Sequence, residues 1–309
     1  MSFLLTALGI AILVIGANWL VTGASSLALT LGISKLIVGL SVVAFGTSLP
    51  ELVSSLVSAS KGYSSIAISN VVGSNIANIG LCLGLAAILQ SVPVKRSTVR
   101  SEIPFMILVT ISLISLFLKN HYLSWHDGVV FLSFMVIFMY YLITSAKEVV
   151  EEELEEIKPQ KSVATSLLMI AGGVLALWLG GDLTIENAVK IAETFGLSQA
   201  FIGLTVIAVG TSLPELMVSI VSAAKKESDI LVGNIVGSNV FNILFILGVS
   251  SFFGRLTVDV DYSVDLWFLF ITSTLLLIFA VSRRRISRFE GAIFLIVYSV
   301  YVYFVVLRG

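Results

Sequence analysis

Residues 44–51 read AFGTSLPE, and residues 208–215 read AVGTSLPE. A second short motif follows each of them, VGSNIAN at 72–78 and VGSNVFN at 236–242. Every matching position in the two copies is displaced by the same 164 residues. When residues 31–80 are laid on 195–244 without a gap, 27 of the 50 positions are identical. The chain therefore contains an internal duplication.

The composition places this duplication in a membrane. Of 309 residues, 57% are hydrophobic and only 12% are charged, with a mean hydropathy of +1.05. Runs of about 18 or more apolar residues recur along the chain, and each is long enough to cross lipid as a helix. They are too long and uniform for the alternating strands of a barrel. These features predict an all-α integral membrane protein and exclude a soluble domain.

Ten transmembrane helices are expected, arranged as two inverted-topology repeats of five. The predicted spans lie at roughly 2–22, 34–60, 65–89, 103–118, 127–145, 164–183, 197–223, 228–252, 264–282 and 290–307. The N-terminal segment has no basic region and no cleavage site, so it is interpreted as the first span and not as a signal peptide. Because five is an odd number, the two halves enter the membrane from opposite sides, which is the plan of secondary transporters.

The duplication and the charges divide the chain into three parts. The first repeat covers 1–145 and contains the motif region 44–78, and the second covers 164–309 and contains the motif region 208–242. Residues 146–163 form an acidic linker, which is more simply a solvated connector than a regulatory calcium site. Thirteen lysines and arginines fall on one predicted side and five on the other. This asymmetry predicts a cytoplasmic linker with both termini outside. The short loops favour a prokaryotic cell membrane.

Two glutamates, Glu51 and Glu215, are the strongest functional signal. Each lies within a predicted span, where an ionised carboxylate costs several kcal/mol unless it has a partner. The sequence has no lysine or arginine at comparable depth, so the partner must be a proton or a cation. The alternative is a pair of protonated carboxyl groups that hydrogen-bond the helices together.

The polar neighbours of these glutamates indicate a site for hard cations. Thr47 and Ser48 precede Glu51 by four and three residues and would share a helix face with it. Carboxylate, hydroxyl and amide oxygens are the ligands that Ca²⁺ and Na⁺ accept. The remaining candidates follow in the next span or in the second copy: Ser74, Asn78, Thr211, Ser212, Ser238 and Asn242.

Pro50 and Pro214 predict that the helix backbone is broken at the site. Proline has no N–H and collides with the carbonyl four residues earlier, which belongs to Gly46 in one copy and Gly210 in the other. Such a break would free carbonyl oxygens to face a buried site. A simple kink is the alternative, but it does not explain why glutamate follows proline in both copies.

At these residues the chain resembles the cation/Ca²⁺ exchanger superfamily, most closely its prokaryotic sodium/calcium exchanger branch. The resemblance covers essentially the whole chain, and its most specific parts are GTSLPE…GSNIAN and GTSLPE…GSNVFN. It implies four ion sites between the repeats, with spans 1 and 6 sliding across the rest to alternate access. Glu51 and Glu215 would hold Ca²⁺ with the carbonyls of Ala44 and Ala208. The hydroxyls of Thr47 and Thr211 would complete this calcium site. The flanking sodium sites would include Ser48, Ser74, Ser212 and Ser238. The middle site would contain Asn78 and Asn242.

The resemblance implies an antiporter that exchanges Na⁺ for Ca²⁺, with no cofactor besides the transported ions. Some relatives carry aspartate at the position of Asn242, including potassium-dependent ones, so asparagine here argues against a potassium requirement. Two ionised glutamates neutralise one Ca²⁺ or two Na⁺, and a third Na⁺ would make exchange electrogenic. The lipid bilayer is the one macromolecular environment implied. A net charge of −1 and a pI near 6.1 indicate no nucleic-acid partner, and no obligate protein partner is evident.

Three other functions are weighed against this one. A proton/calcium antiporter would use the same two glutamates, but the GTSLPE signature favours sodium. An intramembrane protease would need a Ser–His pair or paired aspartates at depth, whereas His121 and His126 lie in a predicted loop. The single cysteine, Cys82, excludes an intrachain disulfide and a cysteine metal site. A passive channel normally has rotational symmetry around a pore, whereas an inverted repeat predicts alternating access.

Overall fold

The computed structural model describes residues 1–145, 161–195, 208–258 and 262–308, which are almost entirely helical. The helices in chain order are α1 (Ser2–Leu31), α2 (Lys35–Thr47), α3 (Leu49–Ser60), α4 (Ser64–Leu89), α5 (Arg96–Asn120), α6 (Trp125–Ser145), α7 (Val163–Thr194), α8 (Ala208–Thr211), α9 (Leu213–Ala224), α10 (Ser228–Phe253), α11 (Ser263–Arg283) and α12 (Arg288–Arg308). Wider π-helical turns lie within three of them, at Gly39–Val43 in α2, Asn78–Leu83 in α4 and Asn242–Leu247 in α10.

Within the described residues, eight helices are long and apolar enough to cross a membrane. The bent pair α2 and α3 makes a ninth if both belong to one span. The prediction of an all-helical membrane protein is confirmed. The predicted span 197–223 begins outside the described residues, and its described part consists of α8 and α9. Most of the predicted linker, residues 146–160, also lies outside them.

Helices α1 and α7 are longer than the apolar runs from which they were predicted. The expected ends were residues 22 and 183, whereas the helices continue to Leu31 and Thr194. The added turns contain hydroxyl groups that bond within the helix: Thr30 Oγ1 donates to the Ser26 carbonyl at 2.8 Å, and Thr184 Oγ1 to the Gly180 carbonyl at 2.6 Å. Hydropathy alone underestimates such helices because their polar side chains are satisfied locally.

Glycines let α1 and α7 approach closely. A Cβ built on Gly16 would lie 2.9 Å from the Gly173 carbonyl oxygen, and one built on Gly180 would lie 2.9 Å from the Gly9 carbonyl oxygen. No side chain fits at these distances. The two helices therefore form a pair held by backbone contact, as small residues allow in membranes.

Helices α4 and α10 form the centre of the molecule. In α10, 94% of the most apolar window is buried, and in α4 78%, compared with 17% in the peripheral helix α12. Helix α2, from the first half of the chain, lies directly on α10 from the second half, since a Cβ on Gly237 would be 2.5 Å from the Leu40 carbonyl oxygen. This contact brings the two motif regions together.

Two small antiparallel sheets connect the halves of the chain. β1 (Val92–Pro93) pairs with β4 (Arg285–Ile286), and β2 (Tyr122–Leu123) pairs with β3 (Leu256–Thr257). β1 and β3 occupy equivalent positions in the duplicated sequence, as β2 and β4 do to within one residue. Exchanging the two halves therefore converts one strand pair into the other.

Candidate ion-binding site

Both helix breaks fall at the serine that precedes the Leu-Pro pair. Ser48 has backbone angles of φ −83° and ψ 6°, and Ser212 has φ −87° and ψ 8°. Pro50 and Pro214 then occupy the first turns of α3 and α9, where a missing N–H is tolerated. The predicted proline-associated break is confirmed in both copies, and α2 and α3 meet at an angle of 48°.

The two glutamates lie in the first turns of the half-helices that these breaks create. The side chains of Glu51 and Glu215 are completely buried, at 0% exposure. Free N–H groups and the positive end of the helix dipole favour a carboxylate at such a terminus. Glu51 Oε1 accepts a hydrogen bond from Ser74 Oγ, and Glu215 Oε1 accepts one from Ser48 Oγ, both at 3.4 Å.

The second oxygen of each glutamate, Oε2, is buried without a hydrogen-bond partner among the described residues. No described lysine or arginine forms an ion pair with either carboxylate. A buried polar atom without a partner is costly, so these oxygens have the property expected of ligands for a cation.

Thr47 connects α2 to α10 within the same cluster. Its hydroxyl donates to Asn234 Oδ1 at 3.0 Å and lies 3.3 Å from the Ala44 carbonyl oxygen. Ser238 Oγ lies 3.4 Å from the Thr47 hydroxyl and 3.5 Å from the Ala44 carbonyl. Three predicted site residues, Ala44, Thr47 and Ser238, are thus brought together from both halves of the chain.

The prediction that Thr47 and Ser48 share a helix face with Glu51 assumed a continuous helix, whereas the helix breaks at Ser48. Ser48 is not helical, so the spacing of side chains along a continuous helix does not apply across it. Thr47 and Ser48 reach instead across the boundary between the halves, to Asn234 and to Glu215 respectively. The break therefore brings polar side chains from the two copies together in one cluster.

Four asparagines on α4 and α10 form a hydrogen-bonded network, with Asn75 and Asn239 at its centre and Asn78 and Asn242 at its ends. Asn75 Nδ2 donates to the backbone carbonyl of Asn239 at 3.0 Å, and Asn239 Nδ2 donates to the backbone carbonyl of Asn75 at 3.3 Å. Asn78 Nδ2 donates to Asn239 Oδ1, and Asn242 Nδ2 donates to Asn75 Oδ1, both at 3.0 Å. The Oδ1 atoms of Asn78 and Asn242 are buried and have no partner among the described residues.

The other predicted site residues lie at the second break. Ser212 is fully buried, and its hydroxyl lacks a described hydrogen-bond partner. Ala208 begins α8, and the half-buried Thr211 ends it. His121 ends α5 and His126 stacks on Trp125, with ring centroids 3.7 Å apart, so both lie outside this cluster.

Four residues of the cluster were missed by the sequence analysis, namely Asn70, Asn75, Asn234 and Asn239. Asn70 Nδ2 donates to the Glu51 carbonyl at 3.2 Å, and the other three make the contacts described above. A signal was available, because Asn70 matches Asn234 and Asn75 matches Asn239 at the common displacement. Only their hydrogen-bond partners required the structure.

The donor set consists of carboxylate, hydroxyl, amide and carbonyl oxygens. Within the described ranges there is no group of three or more His, Cys, Asp or Glu side chains suited to a metal ion. Oxygen donors without nitrogen or sulfur suit Ca²⁺ and Na⁺ and disfavour zinc or copper. The cluster can hold hard cations whose charge two carboxylates balance.

Comparison with known families agrees with this chemistry. The family model described as "Sodium/calcium exchanger protein" matches residues 1–144 and 165–307. The chain belongs to the sodium/calcium exchanger family. The resemblance recognised in the two motifs is therefore confirmed, and it extends through both halves of the sequence.

Individual relatives match along almost the full chain. The putative antiporter CaxA of Alkalimonas amylolytica is 36% identical over 305 residues, covering 96% of this chain and 95% of CaxA. The sodium/calcium exchanger MaX1 of Methanosarcina acetivorans is 29% identical, covering 97% of both chains. A solved structure of the sodium-calcium exchanger NCX_Mj superposes with a TM-score of 0.84 at 34% identity, again covering 97% of both chains. This exchanger thus shares the NCX_Mj fold.

Proposed function

We propose that this protein is a secondary-active antiporter that exchanges Na⁺ for Ca²⁺ across the membrane by alternating access. The observation that carries the proposal is the pair of buried glutamates, each with one unpartnered oxygen, in the first turns of half-helices from opposite halves of the chain. The neighbouring residues assigned as ligands all offer oxygen atoms. Membership in the sodium/calcium exchanger family and the match to NCX_Mj support the same reaction.

Ca²⁺, as the transported substrate, binds between Glu51 and Glu215 in this proposal. The Ala44 carbonyl and the Thr47 hydroxyl, which already lie together, complete the site from one half, and Ala208 and Thr211 do so from the other. Na⁺ occupies flanking sites that include Ser48, Ser74, Ser212 and Ser238. Asn78 and Asn242 present their amide oxygens at the middle site. No cofactor is required besides the transported ions.

The charge of this site makes exchange electrogenic. Two ionised glutamates neutralise one Ca²⁺ or two Na⁺, so a third Na⁺ moves one net positive charge in each cycle. A membrane potential acts on that charge with about 2.3 kcal/mol per 100 mV. Asparagine at position 242 keeps the number of carboxylates at two, which argues against a requirement for potassium.

The proposed architecture is ten spans in two inverted repeats, 1–145 and 164–309. Two observations support it: the helix break recurs at Ser48 and Ser212, and exchanging the halves exchanges the two strand pairs. The paired helices α1 and α7 are the elements that slide across the rest. In the cell membrane both termini face outside and the linker 146–163 faces the cytoplasm.

Sodium-loaded proteoliposomes diluted into sodium-free buffer with radioactive calcium test this function. Calcium uptake is expected, and a sodium ionophore should abolish it. A lumen-positive potential, set with external potassium and valinomycin, should accelerate uptake because each cycle removes one positive charge from the lumen.

The control vesicles carry a pH gradient and no sodium. Uptake driven only by that gradient would identify a proton/calcium antiporter, which uses the same glutamates. Uptake unaffected by the imposed potential would contradict electrogenic exchange while leaving sodium coupling intact. If calcium is taken up with neither the sodium gradient nor the pH gradient, calcium antiport is refuted.

A further inference from the structure

The asparagine network contains two one-way chains of hydrogen bonds, each of which starts at a backbone carbonyl. A carbonyl oxygen accepts hydrogen bonds and cannot donate, so only the NH₂ group of an asparagine can face it. The Asn239 carbonyl therefore orients the amide of Asn75, and the Asn75 carbonyl orients the amide of Asn239. Which amide atom is oxygen and which is nitrogen is usually open to two assignments. Here the backbone carbonyls allow only one assignment of the amide atoms.

The second link of the chain follows from the first. Because the NH₂ groups of Asn75 and Asn239 are engaged, their Oδ1 atoms point to the next two asparagines, where each accepts a hydrogen bond from an Nδ2 atom, of Asn242 and Asn78 respectively. The oxygens of Asn78 and Asn242 must then occupy the remaining side, where they are buried without a described partner. Rotating either amide by half a turn would bring two acceptor oxygens together.

We infer that Asn75 and Asn239 are positioning residues, which fix the amides of Asn242 and Asn78 so that oxygen, and not NH₂, faces the transported cation. The inference rests on the proposed function, since it assigns the cation to the side of the unpartnered oxygens. The wiring is crossed: Asn75 acts through Asn242, and Asn239 acts through Asn78. Neither positioning residue contacts the ion.

Crossed double substitutions test this wiring, with leucine as the isostere that removes both amide functions. The readout is kcat/KM for Ca²⁺ in sodium-driven uptake by proteoliposomes. Asn242→Leu should lower it by about tenfold or more, and Asn75→Leu should do the same, because the first removes the oxygen that faces the cation and the second removes the hydrogen bond that orients it. The double variant should lose no more activity than Asn242→Leu alone, since Asn75 acts only through Asn242.

The matched control pairs each positioning residue with the wrong partner. Asn75→Leu combined with Asn78→Leu should multiply the two losses, because these residues share no side-chain hydrogen bond, and the mirror-image cycle with Asn239 should behave likewise. A packing role for Asn75 would not distinguish Asn242 from Asn78. Equal coupling of Asn75 to Asn242 and to Asn78, or no coupling to either, would overturn the inference.

The outcomes also separate this inference from the function on which it rests. If Asn78→Leu and Asn242→Leu leave exchange unchanged, the assignment of the middle site is wrong. If those variants impair exchange and Asn75→Leu and Asn239→Leu do not, only the positioning role is refuted.

A leucine variant that gives no cooperative thermal unfolding is replaced by the pair Asn75→Thr and Asn75→Val. These side chains have nearly the same shape, but only threonine offers a hydroxyl that can donate to the Asn239 carbonyl or accept from Asn242. The threonine variant should exchange calcium faster than the valine variant. Equal rates would overturn the proposal.

Discussion

At the scale of single residues, each glutamate is held at a helix terminus by contacts that use only one of its oxygens. Ser74 donates to Glu51 and Ser48 donates to Glu215, which leaves Oε2 of both carboxylates for another partner. The helix N-terminus stabilises negative charge, yet full burial opposes it. The cation of the proposed function would resolve this conflict and account for an acidic side chain at the centre of a membrane protein.

Glu51→Gln and Glu215→Gln should each abolish calcium uptake, by at least about a hundredfold, because glutamine keeps the shape of the side chain and removes the charge that Ca²⁺ requires. The measurement is sodium-driven uptake into proteoliposomes. Glutamine also has a hydrogen-bonding NH₂ group, so the variants should fold and melt at or above the temperature of the wild type.

The control for this prediction is Glu186→Gln. Glu186 is an exposed glutamate on α7 that pairs with Lys190 at 2.6 Å and lies outside the ion cluster. Its substitution should leave uptake unchanged. Normal uptake by either Glu51→Gln or Glu215→Gln would contradict the site assignment.

At the scale of secondary structure, the candidate site residues lie on helices that depart from ideal geometry. The breaks at Ser48 and Ser212 create helix termini at membrane depth, and wider π-helical turns begin at Asn78 and Asn242. Irregular backbone at this depth is tolerated where it is enclosed by protein, and π-turns often mark functional positions. The irregular helix segments thus contain residues of the candidate ion-binding site.

The close pair α1 and α7 should be sensitive to single methyl groups. Gly180→Ala should destabilise the protein by about 1–3 kcal/mol, because its Cβ would meet the Gly9 carbonyl and the Leu13 nitrogen, both at 2.9 Å. The measurement is the thermal unfolding temperature in detergent, followed by the rate of calcium uptake, which should also fall.

The neighbouring glycine is the control for this prediction. No described atom lies within 4 Å of a Cβ built on Gly181, so Gly181→Ala should be neutral or stabilise the helix by up to about 1 kcal/mol. Equal unfolding temperatures for the Gly180 and Gly181 variants would show that backbone contact does not hold this pair together.

At the scale of the whole molecule, the contacts group the basic residues at one end. Lys35 pairs with Glu227 at 2.9 Å and Lys95 with Asp229 at 3.0 Å. Lys225 Nζ donates to the carbonyl of Asn18, near the middle of α1, at 3.3 Å. Partial burial lowers the pKa of Lys225, and the nearby Glu227 opposes that shift. In the proposed orientation, which follows the positive-inside rule, this end faces the cytoplasm.

This orientation predicts how introduced cysteines react with a membrane-impermeant maleimide. Lys119→Cys, at the opposite end, should be labelled in intact cells, whereas Lys161→Cys should be labelled only after the membrane is permeabilised. The native protein serves as control and should remain unlabelled, because Cys82, its single cysteine, is 0% exposed. The reverse labelling pattern would place both termini in the cytoplasm.

Much of the molecule follows from the sequence by itself. Long apolar runs determine helices, because lipid offers no partner for an exposed backbone. The duplicated GTSLPE stretches identify Glu51, Glu215 and their neighbours, since a carboxylate in an apolar run needs a cation or a proton. Proline after serine and leucine determines where the helices break, because ring geometry is a local property.

Only the tertiary structure decided which residues meet. The contacts of Thr47 with Asn234 and of Ser48 with Glu215 join residues more than 160 positions apart, and no periodicity along one helix predicts them. The same holds for Asn75 and Asn239, whose amides are oriented by carbonyls from opposite halves of the chain. Hydrogen-bond direction depends on atoms that only packing brings within 3.5 Å. The sequence therefore determined the chemistry of the site, and packing across the two repeats determined its geometry.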